Sequence, residues 1–320
     1  MRMRHNILLS APYMIPVFDR FRAYFDRQGI QVEIAQVAER LDESSLLAFA
    51  GKIDGTICGD DHYTRKVIER LTPRLKVISK WGTGIDSIDL EAAREFNVQV
   101  LNTPGAFTDP VADTILQYIL IFARKGPLLD HEMKLGNWHK IPGWSLHERT
   151  LGVIGVGKIG RAVLRRARSF GMSLLGNDIV KISDEFIADV GVEMTSLTRL
   201  LKEADFISLN CDLNSKSKHL IDEQALSLVK PDAVLINTSR GAVVDQDALI
   251  DALRAGIIGG AALDVFDVEP LPEDSPLMKM DRVLLAPHNA NSSPAAWEKV
   301  HQNSIRNLFQ GLGFEFDGTL

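Results

Sequence analysis

Three residues late in the chain carry the groups that acid–base chemistry on a carbonyl needs. The apolar run "AVLINTS" is followed by Arg240. "GGAALDVF" contains Asp264 and is followed by Glu269, and "RVLLAP" is followed by His288. Each run reads as a strand, so a cation, a carboxylate and an imidazole fall just beyond three successive strand ends. Ligands of doubly wound sheets bind outside the carboxyl ends of the strands. Histidine is the natural acid or base near neutral pH. A neighbouring carboxylate orients the imidazole and favours its charged form. Arginine's planar fork suits a carboxylate and can polarise the oxygen beside it. The set suits reduction of a 2-oxo acid, in which C2 gains a hydride and its oxygen a proton. Taken singly, each residue also fits something ordinary. Arg240 could be a surface arginine before a turn at Gly241, Glu269 a solvated acid before Pro270, and His288 a satisfied loop histidine. Their combination with a hydride source shifts the balance.

That source is suggested by "LGVIGVGKIGRAV", where Gly155, Gly157 and Gly160 stand in G-x-G-x-x-G spacing after an apolar strand and at the start of a helix. A glycine-rich strand–helix connection can arise without a ligand, so context decides. The next strand, "MSLLGND", ends at Asp178, 18 residues beyond Gly160. This is close to the spacing of an acid that holds an adenosine ribose. Gly155 would allow the tight turn, Gly157 a close approach of the backbone to a pyrophosphate, and Gly160 close helix–strand packing. The helix N-terminus would stabilise the negative charge. A carboxylate at Asp178 accepts hydrogen bonds from ribose hydroxyls and repels a 2′-phosphate, which favours NAD over NADP. Lys181, three residues on, keeps NADP open.

The elements that must position these groups are α/β throughout. Strand-like runs "NILLS", "QVEIAQ", "DGTIC", "LKVISK" and "VQVLN" alternate with helical stretches over the first hundred residues, which implies βαβ units and a parallel sheet. A helix is expected from Gly105 to Arg124. From Leu151 the alternation restarts and predicts a second parallel sheet of about six strands, followed by a final helix in "SPAAWEKVHQNSIRNLFQGL". The chain has 320 residues, 45% of them hydrophobic and 24% charged, enough for two domains with sizeable cores. Its net charge of −6 argues against general nucleic-acid or anionic-membrane binding. Cys58 and Cys211 form no C-x-x-C pattern and no metal site is read, so a reducing compartment such as the cytoplasm is expected. No run approaches a membrane span. The basic opening "MRMRHNILLSAPYM" is broken by Ser10 and Pro12 and reads as a first strand rather than a leader.

The runs "LGVIGVGKIGRAV", "NTSRGAVVDQDAL", "GGAALDVFDVEPLP" and "LLAPHNAN", together with "KWGTGIDSIDLEAAREFNVQVLNTPG", resemble the D-isomer-specific 2-hydroxyacid dehydrogenases, and D-3-phosphoglycerate dehydrogenase-like members in particular. The similarity covers nearly the whole chain. It implies that Arg240 binds substrate, that Glu269 and His288 form the catalytic acid–base pair, and that backbone N–H groups of Thr83 and Gly84 hold the substrate carboxylate. For the cofactor it implies Gly155, Gly157, Lys158, Ile159, Gly160, Asp178, Cys211, Thr238, Ser239, Arg240, Asp264, His288 and Asn291. The implied layout is a Rossmann NAD domain, residues 102–290, inserted in a flavodoxin-like substrate domain of residues 1–101 plus 291–320. The resemblance also places the active site in a cleft that closes by a hinge. It implies a homodimer built on the helix expected from Gly105 to Arg124, with Trp138 of "GNWHK" reaching toward the partner; an ordinary core aromatic is the other reading of Trp138.

The departures from the family pattern bear on substrate. In the loop "CGDDHYT", Cys58 replaces the arginine and His62 the lysine usual in phosphoglycerate dehydrogenases, with Asp60 and Asp61 between them. That loop suits a phosphate poorly and suits hydroxyl or amine groups better, unless both acids simply face solvent. Asp113 stands where a glutamate is common. The resemblance ends at Leu320 without a counterpart of the C-terminal regulatory domain of some relatives. Formate oxidisers of the family carry glutamine in place of Glu269, which disfavours formate. Phosphite oxidation and a non-catalytic NAD-sensing role stay open as alternatives to a small 2-oxo or 2-hydroxy acid substrate.

Overall fold

The computed structural model describes residues 5–314; the basic opening residues 1–4 and residues 315–320 lie outside it. The chain divides into two compact units, one of residues 5–106 with 293–314 and one of Phe107–Ser292.

In the first unit the strands are β1 (His5–Leu9), β2 (Ile30–Ile34), β3 (Gly55–Cys58), β4 (Val77–Lys80) and β5 (Gln99–Leu101). All pair in parallel in the order β2-β1-β3-β4-β5. This is the flavodoxin-like doubly wound order. Both faces of the sheet are covered, so β3 and β4 are buried at every residue and their strands read as near-continuous apolar runs. The final helix, Pro294–Gly311, buries Val300, Ile305, Leu308 and Phe309 in this unit. Asp42, Thr64 and Asp89 each cap a helix by accepting a backbone N–H three residues on.

The second unit holds β6 (Thr150–Ile154), β7 (Ser173–Asn177), β8 (Glu193–Met194), β9 (Phe206–Leu209), β10 (Val234–Asn237), β11 (Gly260–Leu263) and β12 (Val283–Leu285). Their order is β12-β11-β10-β9-β6-β7-β8, the Rossmann order with one further edge strand. There are seven strands rather than six because Glu193–Met194 pairs with β7 at the edge. Two residues are too short to show a period in the sequence. The helix expected from Gly105 begins at Thr108. Gly105 sits at φ +82°, outside the right-handed helical region, which sets the start later. That helix buries Val111, Ile115, Tyr118 and Ile119, and Arg166 of the glycine-turn helix (Lys158–Ser169) binds its Asp109 and Asp113 at 2.9 and 2.7 Å. No helix among the described residues is long and apolar enough to cross a membrane.

Candidate active site

Arg240, Glu269 and His288 lie just beyond β10, β11 and β12, which are neighbours in the second sheet. Asn237 closes β10 and is 1% exposed. Its amide donates to the Arg240 carbonyl at 2.8 Å, and its oxygen accepts from Ser239 N and Oγ at 3.0 and 2.8 Å. These bonds fold the turn that presents Arg240. The next residue must be glycine: a Cβ at Gly241 would lie 2.0 Å from the Phe266 carbonyl carbon. This close approach brings the Arg240 turn against the backbone of the loop that carries Glu269.

Both Glu269 oxygens are engaged. Oε1 accepts from Phe266 N at 2.9 Å, and Oε2 lies 3.0 Å from His288 Nδ1. The two side chains are 19% and 25% exposed, so their contact is sheltered without being sealed. His288 stands at φ +49°, a left-handed conformation that costs a non-glycine residue about 1 kcal/mol or more. Asp264 holds it there. The Asp264 carbonyl accepts His288 N at 2.8 Å, and its carboxylate accepts Asn289 N and Ala290 N at 2.8 and 2.9 Å. Burial pushes the Asp264 carboxyl up while those two N–H groups pull it down. The Tyr118 hydroxyl also meets Asp264, and burial first, then that acid, pushes the phenol well above its usual range, so it stays a donor. Asp264 therefore holds the loop that aims His288. Sequence reasoning missed Asn237 and Tyr118 and read Gly241 only as a turn residue. The available signals were a polar residue ending an apolar strand and a glycine after the arginine.

The glycine turn joins β6 to the helix Lys158–Ser169. Gly155 has φ +89°, and a Cβ there would meet Asn210 and Cys211 backbone at 2.7 Å. A Cβ at Gly160 would lie 2.1 Å from the Gly155 carbonyl oxygen. Gly157 differs, because nothing lies within 4 Å of its ideal Cβ position and no side chain caps the helix it begins. The turn therefore opens a cradle next to the first-turn N–H groups of Lys158 and Ile159, where an anion is stabilised. Asp178, at the end of β7, accepts Val156 N at 2.6 Å and Val180 N at 2.9 Å, which fixes its carboxylate beside that turn. Ile179 and Val180 next to it are 82% and 65% exposed, an apolar shelf suited to a planar base. A dinucleotide fits this donor set: an open anion cradle, a fixed acid and an apolar surface on one rim. Cys211, after β9, is half-buried, and burial pushes its thiol up to about 11, so it behaves as a small neutral group. Thr238, Ser239 and Asn291 are half-buried on the loops after β10 and β12.

In the first unit, Thr83 and Gly84 lie three and four residues beyond β4. The loop is anchored by Thr103 N to the Gly82 carbonyl at 2.8 Å, Thr83 Oγ1 to the Thr103 carbonyl at 3.1 Å and Asn102 Nδ2 to the Thr83 carbonyl at 2.6 Å. Among the described residues the N–H groups of Thr83 and Gly84 donate to no protein acceptor. Two such donors at a strand's carboxyl end are what a ligand carboxylate needs. The loop after β3 departs from the solvent-facing reading of its acids. Asp61 is fully buried and accepts from Ser10 Oγ and from Leu41 N, the latter at 2.6 Å. Burial raises its carboxyl to about 6. Asp60 pairs with Lys80 at 3.1 Å. In the second unit Trp138 is 87% exposed, which removes the core-aromatic reading.

With this geometry in place, the chain can be set beside known proteins. Residues 116–290 match the family model described as D-isomer specific 2-hydroxyacid dehydrogenase, NAD binding domain. A glyoxylate reductase of Korarchaeum cryptofilum is 40% identical over 242 residues, 74% of this chain and 73% of that one. A D-3-phosphoglycerate dehydrogenase of Methanocaldococcus jannaschii is 41% identical over 236 residues, 73% of this chain but 44% of that one. The crystal structure of D-lactate dehydrogenase from Aquifex aeolicus, complexed with NAD and lactic acid, aligns with a TM-score of 0.84 at 28% identity over 99% of this chain and 100% of that one.

Proposed function

The chain belongs to the D-isomer-specific 2-hydroxyacid dehydrogenases, NAD-dependent oxidoreductases, and on that premise we propose that it interconverts small, unphosphorylated 2-oxo acids, glyoxylate among them, with their D-2-hydroxy acids. The observation that carries the chemistry is the 3.0 Å contact of His288 with Glu269 beside the Arg240 turn, at three adjacent strand ends. NAD, when bound, supplies or takes the hydride at C2.

The chain's own residues do the rest. With Nδ1 committed to Glu269, His288 exchanges its proton with the substrate oxygen through Nε2. Glu269 stabilises the imidazolium and fixes its tautomer. Arg240 holds the carboxylate and polarises the C2 oxygen. In the first unit, the N–H groups of Thr83 and Gly84 are donors suited to a substrate carboxylate. Asp264 is a positioning residue for His288. Gly157, Lys158 and Ile159 hold the pyrophosphate, Asp178 the adenosine ribose, and Cys211, Thr238, Ser239 and Asn291 line the rest of the cofactor's path.

The direct test is NADH oxidation across a panel of 2-oxo acids: glyoxylate, hydroxypyruvate, pyruvate and 3-phosphohydroxypyruvate. Turnover is expected with the unphosphorylated compounds. Tight NADH binding with no turnover on any of them would leave a sensor instead of an enzyme. The ribose role of Asp178 has its own test. Asp178→Ala should weaken NADH binding about tenfold and raise the NADPH-to-NADH ratio of kcat/KM, since a charge that repels a 2′-phosphate is gone. An unchanged cofactor preference would count against that role.

The second unit also carries a surface that supports a homodimer. Leu116, Leu120, Ile121, Pro127 and Phe170 line a groove of 630 Å³, and Leu128 beyond it is 46% exposed. A largely apolar groove of this kind suits association with another chain. Leu120→Glu is expected to shift the protein from dimer to monomer in analytical ultracentrifugation. A wild-type protein that sediments as a monomer at micromolar concentration would dispose of the proposal.

A further inference from the structure

We propose that Asp60 determines substrate choice by cancelling the charge of Lys80, so that the first unit accepts 2-oxo acids with uncharged tails and turns away phosphorylated ones. The inference rests on the reading that Thr83 and Gly84 take the substrate carboxylate. Strands β3 and β4 are neighbours, with Cys58 opposite Lys80, and Trp81 N donates to the Cys58 carbonyl at 2.8 Å. The two chains therefore leave the sheet together. Asp60, two residues past Cys58, and Thr83, three past Lys80, both follow the carboxyl ends of these adjacent strands.

Lys80 is the cation of that edge, yet its side chain is only 4% exposed. Its Nζ lies 3.1 Å from Asp60 Oδ1 and donates to the Trp81 carbonyl at 3.1 Å. A buried ammonium requires such a counter-charge. The neighbouring Asp61 is committed to Ser10 Oγ and Leu41 N, so it cannot turn to relieve the pair. Asp61, its carboxyl raised by burial to about 6, stands beside the pair as a second acid. The surroundings add apolar surface. Tyr13 packs on Trp81 and Trp297 with ring centroids 5.4 and 5.0 Å away, and Trp81 Nε1 donates to His301 Nδ1 at 2.9 Å. A neutral hydroxyl or hydrocarbon tail meets no penalty there. A phosphate meets Asp60, which is 34% exposed, and finds the nearby ammonium already spent.

The experiment measures dead-end binding, which needs no turnover. With the protein saturated in NADH, calorimetry gives Kd for D-glycerate and for 3-phospho-D-glycerate. Wild type should prefer D-glycerate. Asp60→Asn, and Asp60→Ser as a second variant, should tighten 3-phospho-D-glycerate relative to D-glycerate by about tenfold or more, because one unit charge a few ångströms away is removed. That gain should shrink as salt rises and disappear in Asp60→Asn/Lys80→Met. A ratio that stays within twofold of wild type in both Asp60 variants overturns the proposal, as does a gain that survives the loss of Lys80. The oxidoreductase reading fails on other grounds, namely absence of turnover across the 2-oxo acid panel.

Discussion

His288→Ala is expected to lower kcat for 2-oxo acid reduction by about a thousandfold, within the usual range for losing a general acid, while the Kd for NADH moves by less than about threefold. The expectation comes from the contacts of His288. Its ring meets Glu269, and its backbone is held by Asp264, so the imidazole is aimed by two acids of the loop that follows β11. One complication is the backbone. His288 sits at φ +49°, and alanine tolerates that conformation poorly. His288→Asn is therefore the better companion, since asparagine enters the left-handed region readily. Both variants should lose turnover alike, and the asparagine variant should keep the wild-type melting temperature. Stopped-flow reduction and NADH fluorescence titration read the two quantities separately. Loss of NADH binding with turnover per bound cofactor preserved would overturn the assignment.

Arg240→Ala should reduce kcat/KM by about a thousandfold, through a higher KM as well as a lower kcat. A guanidinium that binds the substrate carboxylate contributes in the ground state, and polarising the C2 oxygen contributes further as charge develops there. The turn itself should survive. Asn237 holds it through the Arg240 carbonyl, which alanine also has. Arg240→Lys should recover only a small part of the loss, because an ammonium cannot reproduce the two parallel bonds of the fork. A selective rise in KM with kcat intact would reduce Arg240 to a carboxylate anchor. Unchanged kinetics in both variants would remove it from the site.

The parts legible in the sequence are those where a physical constraint admits few residue types. Gly155 and Gly160 are forced by backbone atoms 2.7 and 2.1 Å from where a Cβ would stand, so their spacing survives as a readable pattern. The buried parallel strands write themselves as apolar runs, and the acid at the end of β7 is tied to the turn it supports. Arg240, Glu269 and His288 are readable from their positions just beyond the strand ends, because the fold collects ligands at that edge. The illegible parts depend on partners far away in sequence. Aspartates are rarely fully buried, and nothing local says that Ser10 and Leu41 wait to receive Asp61. The Lys80–Asp60 pair spans 20 residues and is set by strand register. The family resemblance implies Asp264 as a cofactor contact. Its engagement with Asn289 and Ala290 emerges only once the loop is folded. The two-residue strand Glu193–Met194 exists because β7 offers it an edge, a cause its own residues do not carry.

The roles given to Arg240 and His288 fix how the substrate should lie against the second unit. A crystal structure of the protein with NADH and oxamate, an unreactive 2-oxo acid mimic, tests that position directly. The expected density places the oxamate carboxylate on the Arg240 guanidinium, with the amide carbonyl oxygen within hydrogen-bond reach of His288 Nε2. Oxamate bound with its carbonyl turned away from His288, or away from Arg240 altogether, would contradict it.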